Sequence, residues 1–390
     1  MSIKQIEEIL SELVAIPSIS SADAHWDQSN RQVIDRLAAR FESLGFSIQI
    51  QEVTDNHGKN GKSDKANLIA NIGSGHGGLV LAGHTDTVPF DESQWDSDPF
   101  TLENRNNRLH GLGSTDMKGF FAVVLSALTQ IGNKKLSALS KPLTIIATAD
   151  EESSMSGARA LSDADPFNAR FAVIGEPTDM KPVRMHKGIM MESIALTGQS
   201  GHSSNPALGH SALDAMHKVM SALMDLRREW AQQYQNAKFE VQVPTMNLAA
   251  IHGGDSPNRI CQHCQLTFDV RLLPGMNNAE MREIIQQCAL HALQGTGVSA
   301  SFNTLFTGVE PYLQDENSEL ITTVEKLTGH QAKSAGYATE APFMQALGMQ
   351  TVVLGPGSID TAHQANEYLP LDQVDPAVDL IHNLINRFCV

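Results

Sequence analysis

The feature that most constrains this chain is a set of short apolar runs, several of them closed by a side chain of a type that binds metal. Residues 79–82, 143–147, 171–174 and 351–354 are such runs. Beyond them come His84 and Asp86, the pair Glu151 and Glu152, Glu176, and His363. Short apolar runs bounded by turn residues read as strands buried on both faces. Helical patterns lie between some of them, as at 119–131, so the whole reads as an α/β sheet with both faces covered. Open sheets of this kind place their ligands beyond the carboxyl ends of the strands. With Asp116, the series supplies the hard and imidazole ligands that two divalent ions sharing one carboxylate require. The inventory is that of a two-metal hydrolase.

Charge and composition exclude several other classes. The chain of 390 residues carries 44 acidic against 28 basic side chains, a formal charge of −16. Nucleic acid and anionic membranes attract basic patches, so neither is an expected partner. Acids at Glu7 and Glu8 occupy the place of a signal peptide's apolar core, and no apolar stretch approaches the ~18 residues of a membrane span. A cytoplasmic protein is expected. Four cysteines do not make a disulfide framework. Cys261 and Cys264 have zinc-knuckle spacing but no second pair, and residues 264–272 alternate apolar and polar as a half-buried strand does. The metal is therefore expected elsewhere.

The length suits two domains. Two amphipathic helices open the chain, with apolar stripes Ile6, Ile9, Leu10, Leu13, Val14 and Val33, Ile34, Leu37, Phe41, Leu44. Residues 56–65 read as a polar loop. From residue 183 the rhythm changes to strand 189–197, helix 212–233, strands 245–251 and 260–273, helix 278–294 and strand 298–306. That β-α-β-β-α-β order is a ferredoxin-like unit. The expected organisation is a catalytic α/β domain over 1–182 and 308–390, with an inserted domain over 183–307.

Each candidate ligand has an ordinary alternative. In Gly83-His84-Thr85-Asp86 an extended backbone sends His84 and Asp86 to the same side, so the Asp86 carboxylate can accept the second ring N–H of His84, or simply cap. Asp116, within Gly113-Ser114-Thr115-Asp116-Met117-Lys118-Gly119, is either a helix N-cap or a bridging carboxylate. Glu151 and Glu152 follow a strand; if the backbone stays extended they point opposite ways, one to metal and one to substrate, although a solvated pair on a loop is also open. The joint recurrence of ligand types at strand ends outweighs the separate alternatives. Arg271 falls on the polar face of its strand, suiting it to a carboxylate or to a surface salt bridge. Lys187 is a second candidate cation. Glu340, an acid in the otherwise apolar turn 338–343, is a candidate partner for a substrate ammonium.

Taken with Asp150-Glu151-Glu152, Gly175-Glu176-Pro177 and His363, these motifs resemble those of the dinuclear zinc amidohydrolases that include aminoacylases and succinyl-diaminopimelate desuccinylase. The similarity runs in order through essentially the whole chain, including Gly201-His202-Ser203-Ser204-Asn205-Pro206. Longer stretches at 183–188, 253–261, 338–343 and 354–359 resemble the members that deacetylate an amino acid of bacterial arginine biosynthesis. The resemblance implies two Zn²⁺ ions, replaceable by Co²⁺, bridged by Asp116. His84 and Glu176 would complete one site and Glu152 and His363 the other, with Asp86 behind them and Glu151 as general base and acid. It further implies a homodimer through the inserted domain, His202 as an oxyanion donor to the partner subunit, and Asn258 and Arg271 on the carboxylate of a small acylated amino acid. A desuccinylase, a dipeptidase and a non-enzymatic binding protein on the same scaffold are the competing readings.

Overall fold

The computed structural model describes residues 3–54, 64–161 and 167–390. The polar stretch expected at 56–65 lies outside them except for its last two residues. The chain divides into two compact units. One comprises Met1–Arg184, Gln314–Lys333 and Thr339–Val390, and the other Met185–Leu313 and Ser334–Ala338.

In the first unit six strands run in the order Ser47–Val53, Lys65–Ile72, Leu143–Thr148, Gly78–His84, Ala169–Ile174 and Gln350–Val353. The last four are mutually parallel, so their carboxyl ends share one edge of the sheet. Every residue of Gly78–His84 and Leu143–Thr148 is buried, the signature of strands covered on both faces. Helix Lys118–Ile131 is buried almost all round, since the first helix, Ile3–Val14, and the last, Val374–Phe388, both pack on it. It lies hard against the strand ends because two glycines let it. A Cβ on Gly83 would fall 2.3 Å from Met117 Cε, and one on Gly175 2.1 Å from the Phe120 ring.

The second unit is one antiparallel sheet ordered Thr245–Gly253, His263–Leu272, Gly188–Thr197, Ser299–Val309, with helices Ala212–Gln233 and Asn278–Ala292. This is the ferredoxin-like arrangement that the strand and helix order implies. Each helix begins where a side chain satisfies a free amide: Ser211 Oγ accepts from Asp214 N at 3.1 Å, and Asn277 Oδ1 from Glu280 N at 3.1 Å. Cys264, Leu266, Phe268, Val270 and Leu272 are buried in alternation, while Cys261 precedes the strand and donates its thiol to His263 O. Ser334–Ala338 also joins this unit, through Lys187 N donating to Ala335 O at 3.3 Å. Among the described residues no helix is long and apolar enough to cross a membrane.

Candidate metal centre

Five chain segments, carrying His84, Asp116, Glu151 with Glu152, Glu176 and His363, meet beyond the shared strand edge. His84 is the last residue of its strand, and its Nε2 lies 2.9 Å from Asp116 Oδ1. The other oxygen of Asp116, Oδ2, is 3.3 Å from His363 Nε2, which in turn is 2.8 Å from Glu152 Oε1. One carboxylate thus stands between two imidazoles, the disposition of a bridging ligand. Asp116 is not an N-cap. Met117 holds that position without a side-chain cap, and the Asp116–Met117 peptide is cis.

Two sets of ligand atoms converge to within 4.8 Å of one another: His84, Asp116 and Glu152, and His84, Glu151 and Glu176. His84 belongs to both, and neither set includes a cysteine or His363. Glu176 is 4 % exposed, and its Oε1 has no hydrogen-bond partner. A buried carboxylate oxygen left unpaired is costly, and a cation at that point would satisfy it. The donors are carboxylate and imidazole, the set that suits divalent ions. The residues present therefore fit a pair of metal ions.

The electrostatics follow from crowding acids in a dry place. Burial opposes charge on His84, but Asp116, Glu176 and Asp86 hold its pKa well above the usual imidazole value. Hydrogen bonds to Asp116 and Glu152 raise His363 to about 10. Burial works against the Asp116 carboxylate too, yet the two imidazoles keep its pKa below the ordinary range. Burial pushes up both Glu151 and Glu176, and neighbouring carboxylates add to the rise. This concentration of negative charge matches bound divalent cations.

Asp86 behaves differently from the sequence expectation. His84 Nδ1 bonds the backbone carbonyl of Asp86 at 2.9 Å, and the nearer carboxylate oxygen is 3.7 Å away. The carboxylate instead accepts the amides of Glu151 at 3.2 Å and Glu152 at 3.1 Å. Residues 151–154 form a turn and not an extended strand end, because Asp150 enters the left-handed region at φ 56°. The bend is anchored beneath: Asp150 accepts from Lys65 Nζ at 2.7 Å, Ser20 Oγ at 3.0 Å and Ser156 Oγ at 2.9 Å.

Glu340 is fully buried, and neither of its oxygens has a hydrogen-bond partner; the nearby Thr148 hydroxyl donates to Gly83 O. Burial lifts its pKa to about 7. The remaining candidates belong to the second unit. His202 is exposed with Nδ1 2.7 Å from Ser204 Oγ, and the backbone carbonyl of Asn258 accepts from Ser203 N at 3.2 Å. Arg271 Nε donates to Asp269 at 2.8 Å, as a salt bridge between half-exposed side chains. Lys187 is buried and donates to Val243 O at 2.6 Å, its pKa lowered by burial and by Arg271. Glu367 was not anticipated: it is 2 % exposed and accepts three amides from the turn that carries Asp116. Its only sequence signal is its place four residues after His363.

A mixed α/β sheet with paired acids and imidazoles at its carboxyl edge defines a metal-dependent hydrolase. More narrowly, the chain belongs to peptidase family M20/M25/M40, whose sequence profile matches residues 80–387. It is 44 % identical over 382 residues to the acetylornithine deacetylase of Pasteurella multocida, covering 98 % of this chain and 97 % of that one. The acetylornithine deacetylase of Vibrio cholerae is 43 % identical over 389 residues, 100 % of both chains. Among solved structures, an M20 family metallo-carboxypeptidase of Sulfolobus solfataricus superimposes with a TM-score of 0.75 at 18 % identity, over 100 % and 99 % of the two chains. A dinuclear metal-binding M20 peptidase of Bacillus subtilis gives 0.68 at 14 % identity, over 98 % and 96 %.

Proposed function

We propose that this protein hydrolyses the amide of Nα-acetyl-L-ornithine to L-ornithine and acetate, a step of arginine biosynthesis, as a zinc-dependent cytoplasmic homodimer. The observation that carries the reading is Asp116 standing between His84 and His363 with Glu152 beside it, while Glu176 converges on His84. The full-length similarity to curated acetylornithine deacetylases supports the choice of substrate.

In this reading His84, Asp116 and Glu176 would hold one ion, and Asp116, Glu152 and His363 the other. Bound Zn²⁺, or Co²⁺ in its place, lowers the pKa of water toward about 7 and stabilises negative charge on a carbonyl oxygen. Glu151 takes the proton of the attacking water as it adds to the acetyl carbonyl, then delivers it to the departing α-amine. Asp86 steadies Glu151 and Glu152 through their backbone amides. Arg271, Asn258 and Lys187 hold the substrate carboxylate. Glu340 pairs with the δ-ammonium, which its unpartnered buried oxygens support. Glu340→Gln then raises KM for acetylornithine by roughly ten- to a hundred-fold and leaves acetylmethionine little changed; equal losses on both would remove this role.

His202 serves the oxyanion in the partner subunit's site. The open side of the sheet-edge strand Ser299–Val309, where Leu305 is 50 % exposed, supports the second unit as the dimer contact. Mixing inactive His202→Ala and Glu151→Gln dimers restores up to about a quarter of wild-type activity if His202 acts in trans. No recovery despite subunit exchange would assign it to its own subunit.

The substrate assignment is tested by a deacylation panel on the purified, metal-loaded protein. Acetylornithine is expected to give the highest kcat/KM. A preference for succinyl-diaminopimelate or for a dipeptide would overturn it.

A further inference from the structure

Asp116 is presented by a turn, 113–116, that leaves the hairpin strand Arg108–His110 and enters helix Lys118–Ile131. A turn of this kind has amides pointing inward and needs acceptors for them. One side chain supplies three of the four, and Ser114 N donates to Gly111 O at 3.0 Å. Glu367 Oε2 accepts from Gly113 N at 2.9 Å, and Oε1 accepts from Thr115 N at 2.8 Å and Asp116 N at 2.9 Å. Two further bonds join the same segments: Gly111 N donates to Glu367 O at 3.1 Å, and Thr115 Oγ1 to Tyr368 O at 2.7 Å. Glu367 is 2 % exposed, is not one of the converging ligand groups, and touches none of the reacting atoms proposed above.

The geometry points to Glu367 as a positioning residue that sets Asp116 in its bridging place and fixes its distance from His363. His363 lies only four residues before Glu367 on the same short segment. The clamp therefore ties the bridging carboxylate to the stretch of chain that carries a ligand of the second ion. The two side chains stand 3.3 Å apart, His363 Nε2 to Asp116 Oδ2. The chemistry asks for a carboxylate, because three donors approach two oxygens. A glutamine keeps the size but offers one acceptor oxygen, and in either rotamer its NH₂ opposes at least one of the three amides. The inference rests on Asp116 being a metal ligand.

Glu367→Gln tests it, read by metal affinity in competition with a chelating dye, by the visible absorption of the Co²⁺-loaded protein, and by the melting temperature of the metal-free protein. Loss of a group that orients a ligand typically weakens metal binding by about 10–100-fold. That weakening and an altered Co²⁺ spectrum are expected. Wild-type metal affinity and spectrum in the variant, whatever its melting temperature, would overturn the inference. Thr115→Val removes only the bond to Tyr368 O and is the milder probe if Glu367→Gln does not fold; about a two- to tenfold weakening is expected, and none would count against the clamp. Asp116→Asn run alongside separates the two claims. If it retains wild-type metal binding, the reading of Asp116 fails; if it loses metal while Glu367→Gln does not, only the role of Glu367 fails.

Discussion

Replacing Asp86 by asparagine tests whether Glu151, the proposed general base, is held through its backbone. The Asp86 carboxylate is fully buried and spends its two oxygens on two amides, Glu151 N at 3.2 Å and Glu152 N at 3.1 Å. Asparagine preserves the shape but turns one acceptor into an NH₂ that faces an N–H. A charge-assisted hydrogen bond of this sort is worth about 1.5–3 kcal/mol. Expressed in the transition state, that becomes roughly a ten- to a hundred-and-fifty-fold fall in kcat/KM. His84 keeps its own partner, because its Nδ1 bonds the Asp86 main-chain carbonyl, which the substitution leaves in place. At least one tightly held ion per chain should therefore survive, measured by elemental analysis beside deacetylation kinetics. Activity within threefold of wild type would refute the reasoning. Loss of all metal would show that the carboxylate orients the His84 ring after all.

Glu151→Gln should lower turnover by about 10²–10⁴-fold while metal content stays near wild type; loss of both ions would make Glu151 a ligand, the role its convergence with His84 and Glu176 leaves open. Lys65 is 5 % exposed and bridges Asp27 at 2.8 Å and Asp150 at 2.7 Å. Lys65→Met strands the buried Asp150 and should cost about 3–5 kcal/mol by urea unfolding; a change below about 1 kcal/mol would contradict the pairing. Burial pulls the pKa of His186 from 6.5 down to about 4 in the folded state. Its neutral form is favoured by folding, so this contribution is present above pH 6.5 and is lost as pH falls toward 4. Over that window wild type should lose about 3 kcal/mol more than His186→Phe; parallel stability curves would reject it.

The strand-end placement of His84, Glu151, Glu152 and Glu176 was legible because buried parallel strands announce themselves by composition, and their carboxyl ends are where function collects. The helices over 212–233 and 278–294 were legible as well, and the structure starts each one at a capping side chain, Ser211 and Asn277. What escaped was long-range. Glu367 grips amides more than 250 residues away in sequence, at Gly113, Thr115 and Asp116, and no periodicity records such a pairing. Asp86 sits two residues from His84, which suggested a local contact, yet its carboxylate satisfies amides 65 and 66 residues downstream. The left-handed backbone at Asp150 and His363 was hidden as well, since neither is the glycine that would signal it.

The arrangement of the two ions is tested most directly by anomalous scattering from crystals of the Zn²⁺-loaded protein. Two zinc peaks about 3.5–4 Å apart are expected, both in contact with Asp116, one with His84 and Glu176 and the other with Glu152 and His363, and with Glu151 bound to neither. A single peak held by His84, Glu151 and Glu176 would contradict both the bridging role of Asp116 and the use of Glu151 as the base.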